Sequence, residues 1–526
     1  MKYIYSIIKA DYLQRTRSYA FLITLAVTLF AAYSFVPPPT ASYTTLDVAG
    51  YKGVYNSAWV GHVSAMMTTI MLSLYGFFLI IGGIKKDIDT ELGLIIATTP
   101  ITNFAYLLSK TLSNYFVLLT IAGITFVVSL IMFFVRSSGY PSILSDFVIP
   151  YLLLALPSLF IISTLAVVAE VYLGKSAILQ YIVFVLLFGV ITANVNGLKN
   201  NTVATLIDPF GVRTMTTSIK NQINTQFHEN IQTVSFGFIF NRDKKPFKSF
   251  IWNGVKWTTI FLLSRLLWIG FVLGLLYISS FFFHRFDFKQ SSGKQKKILV
   301  SGLLADVLNI TTSNISRASL PPVITDYSIF PFIKTELLLL IRMGSKWYWL
   351  IIAGLWVSLF FAPLQIAHTY LLAVIWFLQV TRWSDLSTKE KTNRLHYFTY
   401  SSYKPLMRML PAQLFAGVIL AVALSLPLVV RYIISLDVYS IINIFNGAVF
   451  LVLLALCLGI LSGGKKLFEI VFFMLTYMIT QKIPFADYFG GVKHNNMVNY
   501  IAIVLMLNVF LGVISFSVRS YQVRHL

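Results

Sequence analysis

The residues that could do chemistry unaided are few, and each set is incomplete. Gly459 through Gly464-Lys465 has the glycine spacing of a phosphate-binding loop, but Lys466 stands where a hydroxyl residue would hold magnesium, and an apolar run surrounds it. Gly174-Lys175-Ser176 has the right ending, with Ala169 where the first glycine is needed. This chain therefore lacks the means to bind ATP in the P-loop manner. The single cysteine, Cys457, lies in an apolar run, which excludes a disulfide or a thiolate metal cluster within one chain. Glu170 and Glu469 are the acids nearest to lipid depth, yet both fall near the expected inner face beside Lys175 and Lys465, whereas a proton- or sodium-coupled carrier places an ionisable group near the midplane. Arg265 is a functional candidate because it sits inside an apolar segment. It lies about two turns from the outer end of its span, close enough to snorkel to the interface as a structural residue. The functional alternative is an anchor for an anionic substrate headgroup near the outer exit.

The elements that must carry these residues are membrane spans. Of 526 residues, 57% are hydrophobic, 15% aromatic and 11% charged, against about 25% charged in soluble domains. Runs of about 20 apolar residues are expected at 19–36, 62–84, 112–135, 148–171, 177–195 and 257–283, then at 347–363, 367–382, 411–430, 440–461, 466–483 and 498–518. The expected fold is an all-α polytopic membrane protein with about twelve transmembrane helices in two pseudo-symmetric six-helix halves. The halves are 1–290, with an outer loop at 196–256, and 327–526. A cytoplasmic linker, 291–326, joins them and holds a short helix around Ile298 to Leu308. Tyr19 to Val36 is too long for a signal-peptide core, and Pro37, Pro38 and Pro39 replace a small-residue cleavage site, so it is expected to remain as the first span.

The net charge of +22, from 41 Lys+Arg against 19 Asp+Glu, fits basic cytoplasmic loops better than nucleic-acid binding. With both termini inside, the short outer loops hold only Lys52, Arg136, Arg431, Lys482 and Lys493. Loop 196–256 is more basic but long enough to escape the rule, and is read as an extracytoplasmic cap. A diverged tandem repeat supports two halves. Ile8-Lys9-Ala10-Asp11 echoes Ile333-Lys334-Thr335-Glu336, Leu173-Gly174-Lys175 echoes Gly463-Gly464-Lys465, and Phe283-His284-Arg285 echoes Ser517-Val518-Arg519. Each fall in the spacing of these echoes coincides with a shorter outer loop.

The most informative stretch follows the second span, from Lys85-Lys86-Asp87 through Glu91-Leu92-Gly93 to Thr99-Pro100-Ile101-Thr102. Charge at the membrane exit, apolar residues at Leu92, Ile95 and Ile96, and a Thr-Thr-Pro break predict a short amphipathic helix in the inner interface, then a helix that Thr102 caps. Glu91, Gly93, Thr99, Pro100, Tyr106 and Lys110 follow one another as in the type-2 ATP-binding-cassette (ABC) permeases, which this segment resembles. The spacing is shorter than in that family, with five residues between Gly93 and Thr99. In the second half Lys389-Glu390 through Arg394 to Ser401-Ser402 and Lys404-Pro405 keeps the charged entry and the turn, but Arg394 stands where Glu91 would be.

Leu206-Ile207-Asp208-Pro209-Phe210-Gly211, Ser264-Arg265-Leu266-Leu267-Trp268-Ile269-Gly270 and His284-Arg285-Phe286-Asp287-Phe288 are similar to the two-half permeases of Bacteroidetes-type bacteria that are sometimes fused to a zinc aminopeptidase. His228-Glu229 is followed by Asn230-Ile231-Gln232, so the His-Glu-x-x-His of such a peptidase is not formed. The resemblance implies the transmembrane subunit of an ATP-driven exporter in a bacterial cytoplasmic (inner) membrane. One copy would act as a pseudo-dimer with two cytoplasmic ATP-binding subunits, which would bring ATP and magnesium, this chain binding no cofactor. It also implies coupling through Asp87, Glu91, Gly93, Thr99 and Pro100 in one half and Lys389, Glu390 and Arg394 in the other. A secondary carrier and a non-transporting scaffold remain the alternatives, and the substrate is open.

Overall fold

The computed structural model describes residues 2–38, 41, 43–48, 51–137, 139–174, 177–197, 201–228, 234–240, 248–283, 328–344, 346–393, 395–480, 483–492 and 496–524. The linker 291–326 with its expected helix, and Arg394, lie outside the described residues.

Apolar runs bury their backbone polarity best as helices, because lipid offers the peptide group no other partner. Among the described residues of the N-terminal stretch these are α1 (Lys2–Thr16), α2 (Tyr19–Phe35), α3 (Ser57–Ile80), α4 (Gly83–Asp89), α5 (Leu92–Ala97), α6 (Asn103–Arg136), α7 (Ser145–Pro150), α8 (Leu156–Leu173), α9 (Ala177–Gly197), α10 (Asn201–Ile207), α11 (Val212–Phe227) and α12 (Thr259–Phe282). Side-chain oxygens start several of them, accepting from backbone N–H groups that would otherwise be unpaired. Ser18 accepts from Phe21, Asn56 from Trp59, Thr102 from Ala105 as expected, and Thr258 from Phe261. Each such cap contributes about 1 kcal/mol. Pro150 and Pro157 remove two amide donors, and between them the helix widens into a π turn at Tyr151–Ala155.

The C-terminal stretch comprises α13 (Phe330–Arg342), α14 (Lys346–Phe361), α15 (Leu364–Ile366), a π turn at Ala367–Leu371, α16 (Leu372–Leu378), α17 (Val380–Asp385), α18 (Lys389–Thr392), α19 (His396–Tyr400), α20 (Pro405–Ile434), α21 (Val438–Ser462), α22 (Lys466–Thr480) and α23 (Met497–Arg524). Seven helical segments among the described residues are long and apolar enough to cross a membrane, or nine if each bent pair is one span. The bends, 72° between α1 and α2 and 98° between α13 and α14, turn a helix that carries charges along its length into a nearly uncharged one. A helix lies at each of the twelve expected stretches. Those at 367–382 and 466–483 yield shorter helices, Leu364–Leu378 and the 15-residue α22, and at 177–195 the apolar part of α9 is Leu179–Thr192. Among the described residues, seven to nine of the twelve expected spans are therefore met by helices long and apolar enough to cross.

Two large apolar cores form. One is built mainly from residues 21–261 and reaches across to Ile470 and Phe473; the other runs from Leu340 to Phe489.

The expected cap is a composite, and it brings a little β structure into a helical protein. Residues 43–53 contribute two short strands, β1 (Tyr43–Asp47) and β2 (Tyr51–Gly53). β1 pairs antiparallel with β3 (Ser235–Phe240), and β2 pairs parallel with β4 (Lys248–Phe250). Trp59 of α3 meets Phe250 and Trp252 edge-on at 5.5 and 6.0 Å, pinning the cap to the span below.

An Asp-x-Phe-Gly turn occurs once in each stretch. Asp208 accepts from the backbone N–H of Phe210, Gly211 and Arg213, and Asp487 from those of Phe489, Gly490, Gly491 and Val492. The glycines close both turns at φ +77° and +80°, a region that a side chain would strain.

Candidate functional site

α4 and α5 form a short step between the long helices α3 and α6. Glu170, at the end of α8, makes the step possible. Its carboxylate accepts from four successive backbone N–H groups, those of Gly82, Gly83, Ile84 and Lys85, at 2.7–3.3 Å. Without it, the first turn of α4 would leave these donors unpaired at a buried helix start.

Asp87 faces inward from α4. It accepts from Tyr106 Oη at 2.7 Å and pairs with Lys110 Nζ at 2.7 Å, both on α6. Lys110, 3% exposed, also pairs with Asp11 of α1 at 2.7 Å. Arg15, one turn further along α1, donates to the Ile80 carbonyl at 2.8 Å and so satisfies the end of α3. One buried cation thus ties α1, α4 and α6 together. Beyond this cluster the step turns at Glu91, which is exposed with φ +59°, a conformation that costs a non-glycine residue energy. Gly93 is buried beneath the step, Ile96 packs inward, and Leu92 and Ile95 stay exposed. Thr99 closes α5 by donating to the Ile96 carbonyl at 2.6 Å, and the exposed Pro100 keeps the helix from continuing.

The second step, α18 with α19, is built on the same plan from different residues. Glu390 is buried and accepts from Gln413 Nε2 of α20 at 2.6 Å. Lys389, one residue earlier, pairs with Glu336 of α13. Arg519 of α23 donates to the Ser387 carbonyl at 2.8 Å and to Tyr400 Oη, closing the cluster from the far side. Glu390 Oε2 has no hydrogen-bond partner among the described residues. Burial pushes this carboxyl above the usual carboxylate range, with Lys389 and Arg519 opposing the shift. Leu395, Tyr397 and Phe398 leave large apolar side chains exposed, Phe398 at 79%.

Asp87 and Glu390 lie 303 residues apart, and so do their α6 and α20 partners Lys110 and Gln413. Asp11 and Glu336, the acids closing the Ile-Lys-x-acid echo, occupy the same place in the two clusters. The structure therefore divides the expected coupling residues by position. Glu91 and Pro100 are on open surface and Thr99 is half-buried. Asp87, Gly93 and Glu390 are buried and Lys389 is bound to Glu336, so none of these four offers a free side chain for docking. Tyr106 and Lys110 were legible as part of the family pattern, whereas the roles of Glu170 and Gln413 had no sequence signal beyond an acid near Lys175 and a polar residue in an apolar run.

Arg265 does not snorkel. It is 4% exposed and turns into the fold, donating to the Pro209 carbonyl at 2.6 Å and to the Asp208 carbonyl. Its guanidinium lies over the Phe261 ring, 4.5 Å from the centroid. Ser158 supports the same turn by donating to the Pro209 carbonyl at 3.1 Å. The arginine thus fastens the Asp-x-Phe-Gly turn of the cap to α12 through two backbone carbonyls, with Nε on the Ser264 hydroxyl.

No family model, curated protein or solved structure matches this chain.

Proposed function

We propose that the chain is the transmembrane subunit of an ATP-driven exporter, with ATP hydrolysed on two separate subunits that dock against α4–α5 and α18–α19. The observation that carries this reading is the paired step. Each step exposes apolar side chains to its surroundings while a buried acid ties it to the next long helix, at one constant offset along the chain. An exposed apolar patch with a rigid charged root suits a surface that must take a push from a protein partner and pass it on. The constant offset and the paired Asp-x-Phe-Gly turns support two six-helix halves, 1–290 and 327–526, with the three shorter helices counted as partial spans. On this reading the steps face the cytoplasm of a bacterium, the cap lies outside, and closure of the two ATPases rocks the halves to move substrate outward.

The test is co-purification of the full chain with an ATPase encoded beside it. Ile95→Asp and Phe398→Asp each place a charge on one exposed patch and leave the buried clusters intact. Each is expected to weaken ATPase binding at least tenfold, since desolvating a carboxylate against an apolar partner costs roughly 2 kcal/mol or more. Unchanged binding and unchanged stimulation of ATP hydrolysis by both variants would refute the docking assignment.

A further inference from the structure

α9 and α22 belong to different halves, and they meet at the same end of the molecule as the two steps. Tyr181 Oη on α9 donates to Glu469 Oε2 on α22 at 2.7 Å and accepts from Lys466 Nζ at 2.9 Å. Lys466 lies 3.4 Å from the same carboxylate, and Ser384 of α17 approaches the other oxygen at 3.4 Å. Tyr181 and Glu469 are buried.

Aromatic rings fill the seam next to this cluster. Phe78 of α3 lies 4.0 Å from Phe473 of α22 and 4.9 Å from Tyr181, and Phe377 of α16 meets Phe473 at 5.7 Å. Rings alone would hold two helices together, and replacing a buried ion pair by apolar residues is often neutral or stabilising. Stability therefore does not call for a tyrosine, a lysine and a glutamate here. These groups supply the part of the seam that is strong when closed and that water can replace when it parts, while the Phe78–Phe473 contact beside them resists opening by the cost of wetting its rings.

The cluster also touches the first step. A Cβ built on Gly82 would lie 3.7 Å from Lys466 Cε, so Lys466 rests against the residue that turns α3 into α4, held at φ +96°. Glu170 clamps that residue's N–H from the other side at 2.7 Å. A displacement of α4–α5 therefore acts on Gly82 and, through it, on Lys466.

We propose that Tyr181, Lys466 and Glu469 form a latch that holds the two halves together at the step end, closed in this structure and released when α4–α5 moves. The latch rests on the two-half exporter reading and gives that reading its gate: the route between the halves opens at this end only when the Tyr181–Glu469 bond is broken.

The full-length chain in lipid nanodiscs, without any ATPase, tests it. In a Cys457→Ser background, spin labels at Leu179→Cys and Leu461→Cys, both exposed, report the step end of the seam. Labels at Val190→Cys and Ile442→Cys, also exposed, report the opposite end. Tyr181→Phe and Glu469→Gln each remove the charge-assisted bond with little change of volume. Each is expected to raise the ratio of long to short separations at the step end about tenfold, the equilibrium factor for losing one such bond, while the opposite end keeps its distances. Step-end distances unchanged in both variants would overturn the latch, as would equal widening at both ends, which marks general loosening. Failure of the ATPase to bind would sink the exporter reading while leaving these distances to stand alone.

Discussion

Replacing Lys110 by methionine tests the load on the first cluster directly. The ammonium is 3% exposed and lies 2.7 Å from each of two carboxylates, Asp87 at 8% and Asp11 at 15% exposure. Removing it leaves the two acids facing each other with no direct ion-pair partner, only the fields of Arg15 and Lys86 nearby. Deleting one partner of a buried pair costs about 3–5 kcal/mol. Asp11 recovers part of that by meeting water, so a loss of about 4 kcal/mol is expected. Lys110→Gln copies the arrangement at Gln413 and keeps one donor, so its loss should be nearer 2 kcal/mol. Asp87→Asn combined with Lys110→Met removes the pair rather than breaking it, and should recover about 1–3 kcal/mol relative to the sum of the single variants. Denaturant unfolding of the full chain in mixed micelles gives these values, and hydrogen exchange along α1 should rise in Lys110→Met because Asp11 is no longer held. A loss below about 1 kcal/mol for Lys110→Met, or strict additivity in the cycle, would refute the view that one buried cation holds three helices.

Other perturbations give separable outcomes. Arg265→Met should leave α12 in place but free the Asp208–Pro209 turn, at a cost of about 2–3 kcal/mol for lost charge-assisted bonds; limited proteolysis should then cut faster between residues 201 and 258, and unchanged cleavage would reject the fastening role. Glu390 predicts a pH dependence whose sign is fixed by its raised carboxyl. Between the ordinary carboxylate value and the raised one, the folded protein binds more protons than the unfolded chain. Its contribution to stability is therefore full below that window and is lost as pH rises through it. Glu390→Gln should flatten the slope of stability against pH there, and an unaltered slope would remove Glu390 as its source.

The long helices were legible because an apolar run of the right length can satisfy its backbone in lipid only as a helix. The cap was half legible. Residues 196–256 stood out as polar and long, but the contribution of 43–53 did not, because strands of three and five residues paired across nearly two hundred positions leave no local pattern. Arg265 was misread for a similar reason. Its position in the span fits snorkelling, and only the distant Asp208–Pro209 carbonyls, brought back by the cap, turn it inward. In the sequence Lys389 and Glu390 are the charged entry of a short polar connection, expected to couple to a partner. What removes them from the surface is Glu336 and Gln413, on two other helices, and partners that far apart in sequence are invisible to spacing arguments.

The two clusters differ in a way that decides how they respond to force. In the first, the cation sits on the long helix α6, where Lys110 serves the acid of the step and the acid of α1 together. In the second, the equivalent position on α20 is the neutral Gln413, and the cation has moved into the step itself as Lys389, where it serves Glu336 alone. Pulling the first step away from its long helix separates Asp87 from both an ammonium and a phenol. Pulling the second away from α20 separates Glu390 from one amide, while Lys389 and Tyr400 stay tied to Glu336 of α13 and Arg519 of α23. The first step thus carries its charged tie to the long helix that follows it, whereas the second carries its charged ties to α13 and α23 instead.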